Sequence, residues 1–224
     1  MEEFSELEFE HEVSVWEGIA ITGGAVLIVA AGLIGLGVKA LGNAFDADRA
    51  EAIAQSLMNY EIPGGSQGFF GTNIGGGKMA VVASTDLLPI PAEVAPIPIV
   101  ELFLARMPLP AVTELETATG TEASPVADNG LFAGFSFSYP DPAAFQVETE
   151  RIDQKLLCES LVPVTIQQGR LTLQPEVAPV PAIRYEVKRP SEAESNLVVI
   201  SAVGEAAADR AEQVFNSLVC QGVG

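Results

Sequence analysis

The chain has 224 residues, with 30 Asp and Glu against 11 Lys and Arg, and a formal net charge of −19 at pH 7. Such a charge repels phosphate backbones and excludes nucleic acid as a partner. The single histidine, His11, and the two cysteines, Cys158 and Cys220, exclude a zinc site built from sulfur and imidazole, and the chain beyond residue 42 has no imidazole for Ser-His or Cys-His catalysis.

Residues 1–17 form an acidic tail, with seven Glu and no Lys or Arg, in which Phe4, Leu7, Phe9 and Val13 are interspersed among the carboxylates. Gly18 to Val38 then runs without a charged side chain. In a helix rising about 1.5 Å per residue, that length matches a hydrocarbon layer about 30 Å thick. The pattern predicts one transmembrane helix over 18–42, hence a single-pass protein of the membrane bilayer. The tail lacks the basic n-region of a cleaved signal, so the helix is expected to be retained. Gly18, Gly24, Ala31, Gly35 and Gly42 recur along this run and predict a bare face on which another helix packs, from a membrane-protein partner or a second copy. Lys39 and Arg49 both follow the run, and the positive-inside tendency places the rest of the chain in the cytoplasm.

Residues 43–224 are the right length for one soluble domain. Asp48 and Glu51 have capping-box spacing ahead of the stripe Ala50, Ile53, Ala54, Leu57 and Met58, which predicts an amphipathic helix of about 13 residues. Pro63, Gly64 and Gly65 end it. Phe69-Phe70 and Lys78 to Ser84 predict a hairpin around the glycine-rich stretch Gly71 to Gly77, and Ile99 to Met107 a third strand. Residues 86–98, with four prolines, predict an extended surface segment, and residues 108–142 a long connection ending in Phe132, Phe135, Phe137 and Tyr139. Four or five further strands are expected from Phe145 to Ala202. A terminal helix after Gly204 should carry Ala207, Ala211, Val214, Phe215 and Leu218 on one stripe. This order predicts an α+β fold, a mainly antiparallel sheet with flanking helices.

The chemical inventory is sparse. Gly71 to Lys78 fails as a phosphate-binding loop, because Thr72 stands at the first glycine of GxxxxGK and Met79 follows the lysine. Glu148, Glu150 and Asp153 read as solvent-facing strand positions, and Asp46 and Asp48 as a helix cap instead of a calcium loop. Cys158 and Cys220 are the right number for one disulfide in an oxidising compartment, or for two reduced thiols in the core.

The stretch from Arg49 to Val82, with AEAIAQSLMNYEIPGG, and the ending RYEVKRPSEAESNLVVISAVGEAAADRAEQVFNSL resemble a group of uncharacterised bacterial, including cyanobacterial, single-pass membrane proteins. Their shared order is a helix, a YxxPxG break, a glycine-containing hairpin, further strands and a final helix. The resemblance implies an anchored α+β module with no assigned activity and no catalytic residues. The expected function is accordingly a non-enzymatic, membrane-anchored accessory or protein-interaction protein with no cofactor. The alternative is a binding module for a lipid, pigment or other apolar ligand, with Phe132, Phe135, Phe137 and Tyr139 lining an apolar pocket.

Overall fold

The computed structural model describes residues 32, 39, 41–89, 96–108, 134–174, 177–190 and 194–220. The chain divides into two units, Met1–Gly42 and Asn43–Gly224. Of the first, Gly32, Lys39, Leu41 and Gly42 are described, and all four are helical and exposed.

In the second unit, helix α1 (Ala47–Leu57) begins where Asp46 accepts a hydrogen bond from the Arg49 amide at 2.8 Å, the standard relief of an unpaired first-turn N–H. The cap is thus Asp46, two residues before the expected Asp48. The strands are β1 (Met58–Asn59), β2 (Ser66–Ile74), β3 (Gly77–Ser84), β4 (Val100–Pro108), β5 (Phe145–Leu157), β6 (Ser160–Leu171), β7 (Val180–Pro190), β8 (Glu194–Val203) and β9 (Val219–Cys220). Helix α2 (Ala207–Ser217) lies between the last two. Strands β2 to β8 form one antiparallel sheet in the order β2-β3-β4-β8-β7-β6-β5, while β1 pairs with β9.

Period-two alternation sorts the side chains into two faces. On one, Ala80, Val82, Leu102, Leu104, Ile200, Ile183, Val164 and Ile166 join Ala54 of α1 and Ala211, Val214 and Phe215 of α2 in the main core. α1 lies over β2 and β3, and α2 over β7 and β8. Burying a side chain the size of Phe215 or Leu102 stabilises by about 1.5–3 kcal/mol each, which makes this face the principal source of cohesion. On the other face, Val81, Phe103, Ala105 and Val199 are covered by Phe70 and Phe137, with Phe137 stacked on Phe70 at a centroid distance of 5.1 Å.

Two expectations are corrected. The fold is mostly β and not α+β. The predicted strands formed, and among the described residues of the second unit the helices packed on the seven-stranded sheet are two of 11 residues, both on one face. The single-pass membrane assignment, and the cytoplasmic placement built on it, also fails to stand. Among the described residues no helix is long and apolar enough to cross a membrane. At about 1.5 Å per residue, α1 and α2 each reach roughly half of a hydrocarbon layer. The run Gly18–Val38 on which the assignment rested lies outside the described residues apart from Gly32, as do Gly18, Gly24, Ala31 and Gly35 of the expected packing face. Gly42 is described, and no atom lies within 4 Å of where its Cβ would stand.

Candidate interaction surface

The β5–β6 hairpin turns at Cys158 and Glu159, between the paired residues Leu157 and Ser160. Both turn residues have positive φ, 51° and 62°. This is the backbone of a two-residue hairpin turn that normally selects glycine or asparagine, so the turn is strained for these side chains. It is also tethered: Cys158 is disulfide-bonded to Cys220 in β9, with 5.4 Å between the Cα atoms. The link fixes the hairpin's tip to the far end of the chain.

Strand β5 is an edge strand, paired with β6 and with no other strand among the described residues. Glu150 and Asp153, three residues apart in an unbroken stretch of the ladder, point to opposite faces of the strand. On the helix side, Arg151 pairs with Asp153 at 3.0 Å. Lys155 reaches Glu212 of α2 at 2.6 Å and stands 5.6 Å above the ring of Tyr185. Burial pushes the Glu212 carboxyl up, but hydrogen bonds from Lys155 and Tyr185, with the lysine's charge, outweigh it and hold the group below its ordinary value. The same carboxylate, with burial acting first, pushes the Tyr185 hydroxyl well up.

On the other side of the hairpin the pattern is apolar and uncovered. Ile152, Leu156 and Leu161 are 67%, 67% and 70% exposed. Leu156 is paired directly with Leu161, and Gln154 with the exposed Pro163. Scattered exposed leucines are ordinary, but the directly paired Leu156 and Leu161, with Ile152 further along the same face of a strand at the sheet's end, form a docking feature in need of a partner.

Where the same face is covered, a buried carboxylate does the holding. Glu101 of β4 accepts hydrogen bonds from the Phe137 amide at 2.5 Å, the Ser138 amide at 3.2 Å and the Ser138 hydroxyl at 2.6 Å. Ser201 donates to the Phe135 carbonyl at 2.7 Å. Burial raises the Glu101 pKa, and the serine and amide donors oppose it only in part. Cross-strand pairing continues this as a polar row from Glu101 through Ser201, Arg184 and Gln167 to Glu150, where the Gln167 amide donates to Glu150 at 2.7 Å.

The residues expected to line an apolar pocket act differently here. Phe135 is buried against Phe145 with Tyr139 packed on the same cluster, and Phe137 is half-buried against Phe70, while Phe132 lies outside the described residues. The cavity beside Phe135 and Tyr139 holds about 10 Å³, space for one water. A larger hollow of about 520 Å³ opens where Leu88, Ile99, Val180 and Pro181 meet the start of α2. Its polar lining mixes Arg210 with Asp86 and Glu205, and so selects no one ligand charge. Among the described residues no cluster of three or more His, Cys, Asp or Glu side chains could hold a metal ion.

Ile152 and Leu161 lie in the expected strands, but nothing local shows that their apolar side chains stay in solvent. The one local trace of the Glu101 contact is a lone carboxylate inside the otherwise apolar run IVELFL. Neither a family model nor any curated protein matches this chain.

Proposed function

We propose that the β-rich unit is a non-enzymatic protein-interaction module that engages its partner through the β5–β6 hairpin. The observation that carries this reading is the exposed group Ile152, Leu156 and Leu161 beside the edge of β5, which pairs with no strand but β6 among the described residues. An edge strand offers backbone donors and acceptors for strand addition, and alternate side chains on one face then supply specificity. The disulfide at Cys158 and the Lys155–Glu212 pair hold the hairpin before any partner arrives, which lowers the ordering cost of association. A pocket for an apolar ligand at Phe135 and Tyr139 has less behind it, since those rings fill the space themselves.

The test is photo-crosslinking of the full chain in cells that make it, with the reactive side chain at Leu161 or, as control, at the exposed Ala208 of α2. Adducts are expected from position 161 and not from position 208. Absence of any adduct from position 161 overturns the reading.

A further inference from the structure

We infer that the partner of this hairpin is a second copy of the same chain, joined by antiparallel pairing of β5 with β5 about a two-fold axis through Gln154. The inference rests on the hairpin being an interaction surface and names its occupant.

A two-fold that continues one sheet into another without exchanging faces must pass through a residue, because residues directly opposite one another in an antiparallel pair lie on the same face. That restriction leaves few registers. Centring on Glu150, Arg151 or Asp153 sets a charge against its own copy. Centring on Ile152 matches Arg151 with Asp153 but sets the exposed Leu156 against Glu148. Centring on Gln154 sets Asp153 opposite Lys155 twice on the helix side, and Ile152 opposite Leu156 twice on the apolar side. The segment Ile152-Asp153-Gln154-Lys155-Leu156 is thus complementary to itself when reversed: apolar, acid, polar, base, apolar.

Side-chain positions agree with this register. Ile152 and Leu156 are both 67% exposed on one face, and Asp153 and Lys155 lie together on the other. Leu161, paired to Leu156 within the hairpin, extends each row, so the joined edges carry Leu161, Leu156 and the partner's Ile152 side by side, and the same again across the axis. Charged residues on an edge strand ordinarily guard against strand addition by opposing any incoming copy. Here one register converts that guard into matched pairs, and opposite charges and apolar neighbours directly across strands are the arrangement that stabilises a sheet.

Cysteine scanning of the full chain tests both partner and register. In the Gln154→Cys variant the two new thiols face each other across the axis, with Cα atoms about 4.5–5.5 Å apart, within disulfide reach. Mild oxidation is expected to give a covalent species of twice the 23.5 kDa chain mass. Ile152→Cys places its thiols four residues apart along the strand, about 13 Å, and should not cross-link. Adding Leu156→Glu to Gln154→Cys replaces both apolar cross-strand pairs with Ile152 by a carboxylate against an apolar side chain and should lower the dimer yield about tenfold. Circular dichroism confirms that each variant is folded. If Gln154→Cys forms no dimer, or Ile152→Cys cross-links equally well, the inference fails. If position 161 still gives adducts with other proteins in cells, the interaction reading survives that failure.

Discussion

The β2–β3 and β5–β6 hairpins of this chain share a turn geometry, and each contributes a strand at one end of the sheet, but they differ in what covers and holds them. The first turns at Gly75 and Gly76, whose φ values of 61° and 81° suit glycine without strain, and the second turns at Cys158 and Glu159 in the same left-handed region. β2–β3 lies under α1 on one face and under Phe137 on the other, so its order is supplied by packing. β5–β6 has Lys155 and α2 on one side only, and its tip is held by a covalent bond. A hairpin covered on both faces is a structural element. One pinned at its tip and exposed along an apolar face is organised for contact.

Removing the covalent support should separate the two most sharply. Cys158→Ser deletes a cross-link between residues 62 apart in sequence, and a loss of about 4 kcal/mol is expected from chain entropy, read as a lower urea midpoint. Hydrogen exchange should quicken at the β5–β6 tip and stay slow in β3. Equal acceleration in both hairpins would mean that the bond stabilises the whole sheet and not one end of it.

The converse change acts on the packed hairpin. A Cβ at Gly68 would stand 2.0 Å from the Ala47 carbonyl oxygen, so Gly68→Val must push α1 away from β2. The expected cost is about 2 kcal/mol, measured by thermal denaturation. An unchanged melting temperature would show that α1 is free to shift and that packing is not what holds this hairpin.

The smallest effect concerns the ion pair between β5 and α2. Glu212 is held below its ordinary carboxylate value, so its contribution is present above the unfolded value of about 4.5 and is lost as the pH falls through the folded value. Stability of the native chain should therefore fall more steeply below pH 4.5 than that of Glu212→Gln. Because the pair is partly solvated, the difference should be no more than about 1 kcal/mol. Urea midpoints across this range measure it, and parallel pH profiles would remove Lys155 from the list of supports for the hairpin.

Much of the sheet was legible locally. The apolar content and bounding Gly or Pro of Lys78 to Ser84 and Ile99 to Met107 leave little but strands for them, and the stripe from Ala207 to Leu218 announces α2. The fold class was misjudged because a helical period says that a helix exists but not how much of the molecule it makes up beside long strands. The candidate surface was hidden for a related reason. Ile152, Leu156 and Leu161 look like core residues in sequence, and only β5's position at the sheet's edge leaves them in water. Its sole local trace was the reversed symmetry of Ile152 to Leu156.

Local sequence by itself determined where strands, turns and the two helices of the β-rich unit fall, since backbone preference and apolar periodicity act over a few residues. It also set the acidic charge and the absence of histidine beyond the tail. Tertiary structure alone decided that Cys158 meets Cys220, that Glu101 is buried under Phe137 and Ser138, and that β5 ends the sheet. Each of those depends on which distant segments become neighbours, and strand order is fixed by the burial of the whole sheet and not by any one stretch of chain.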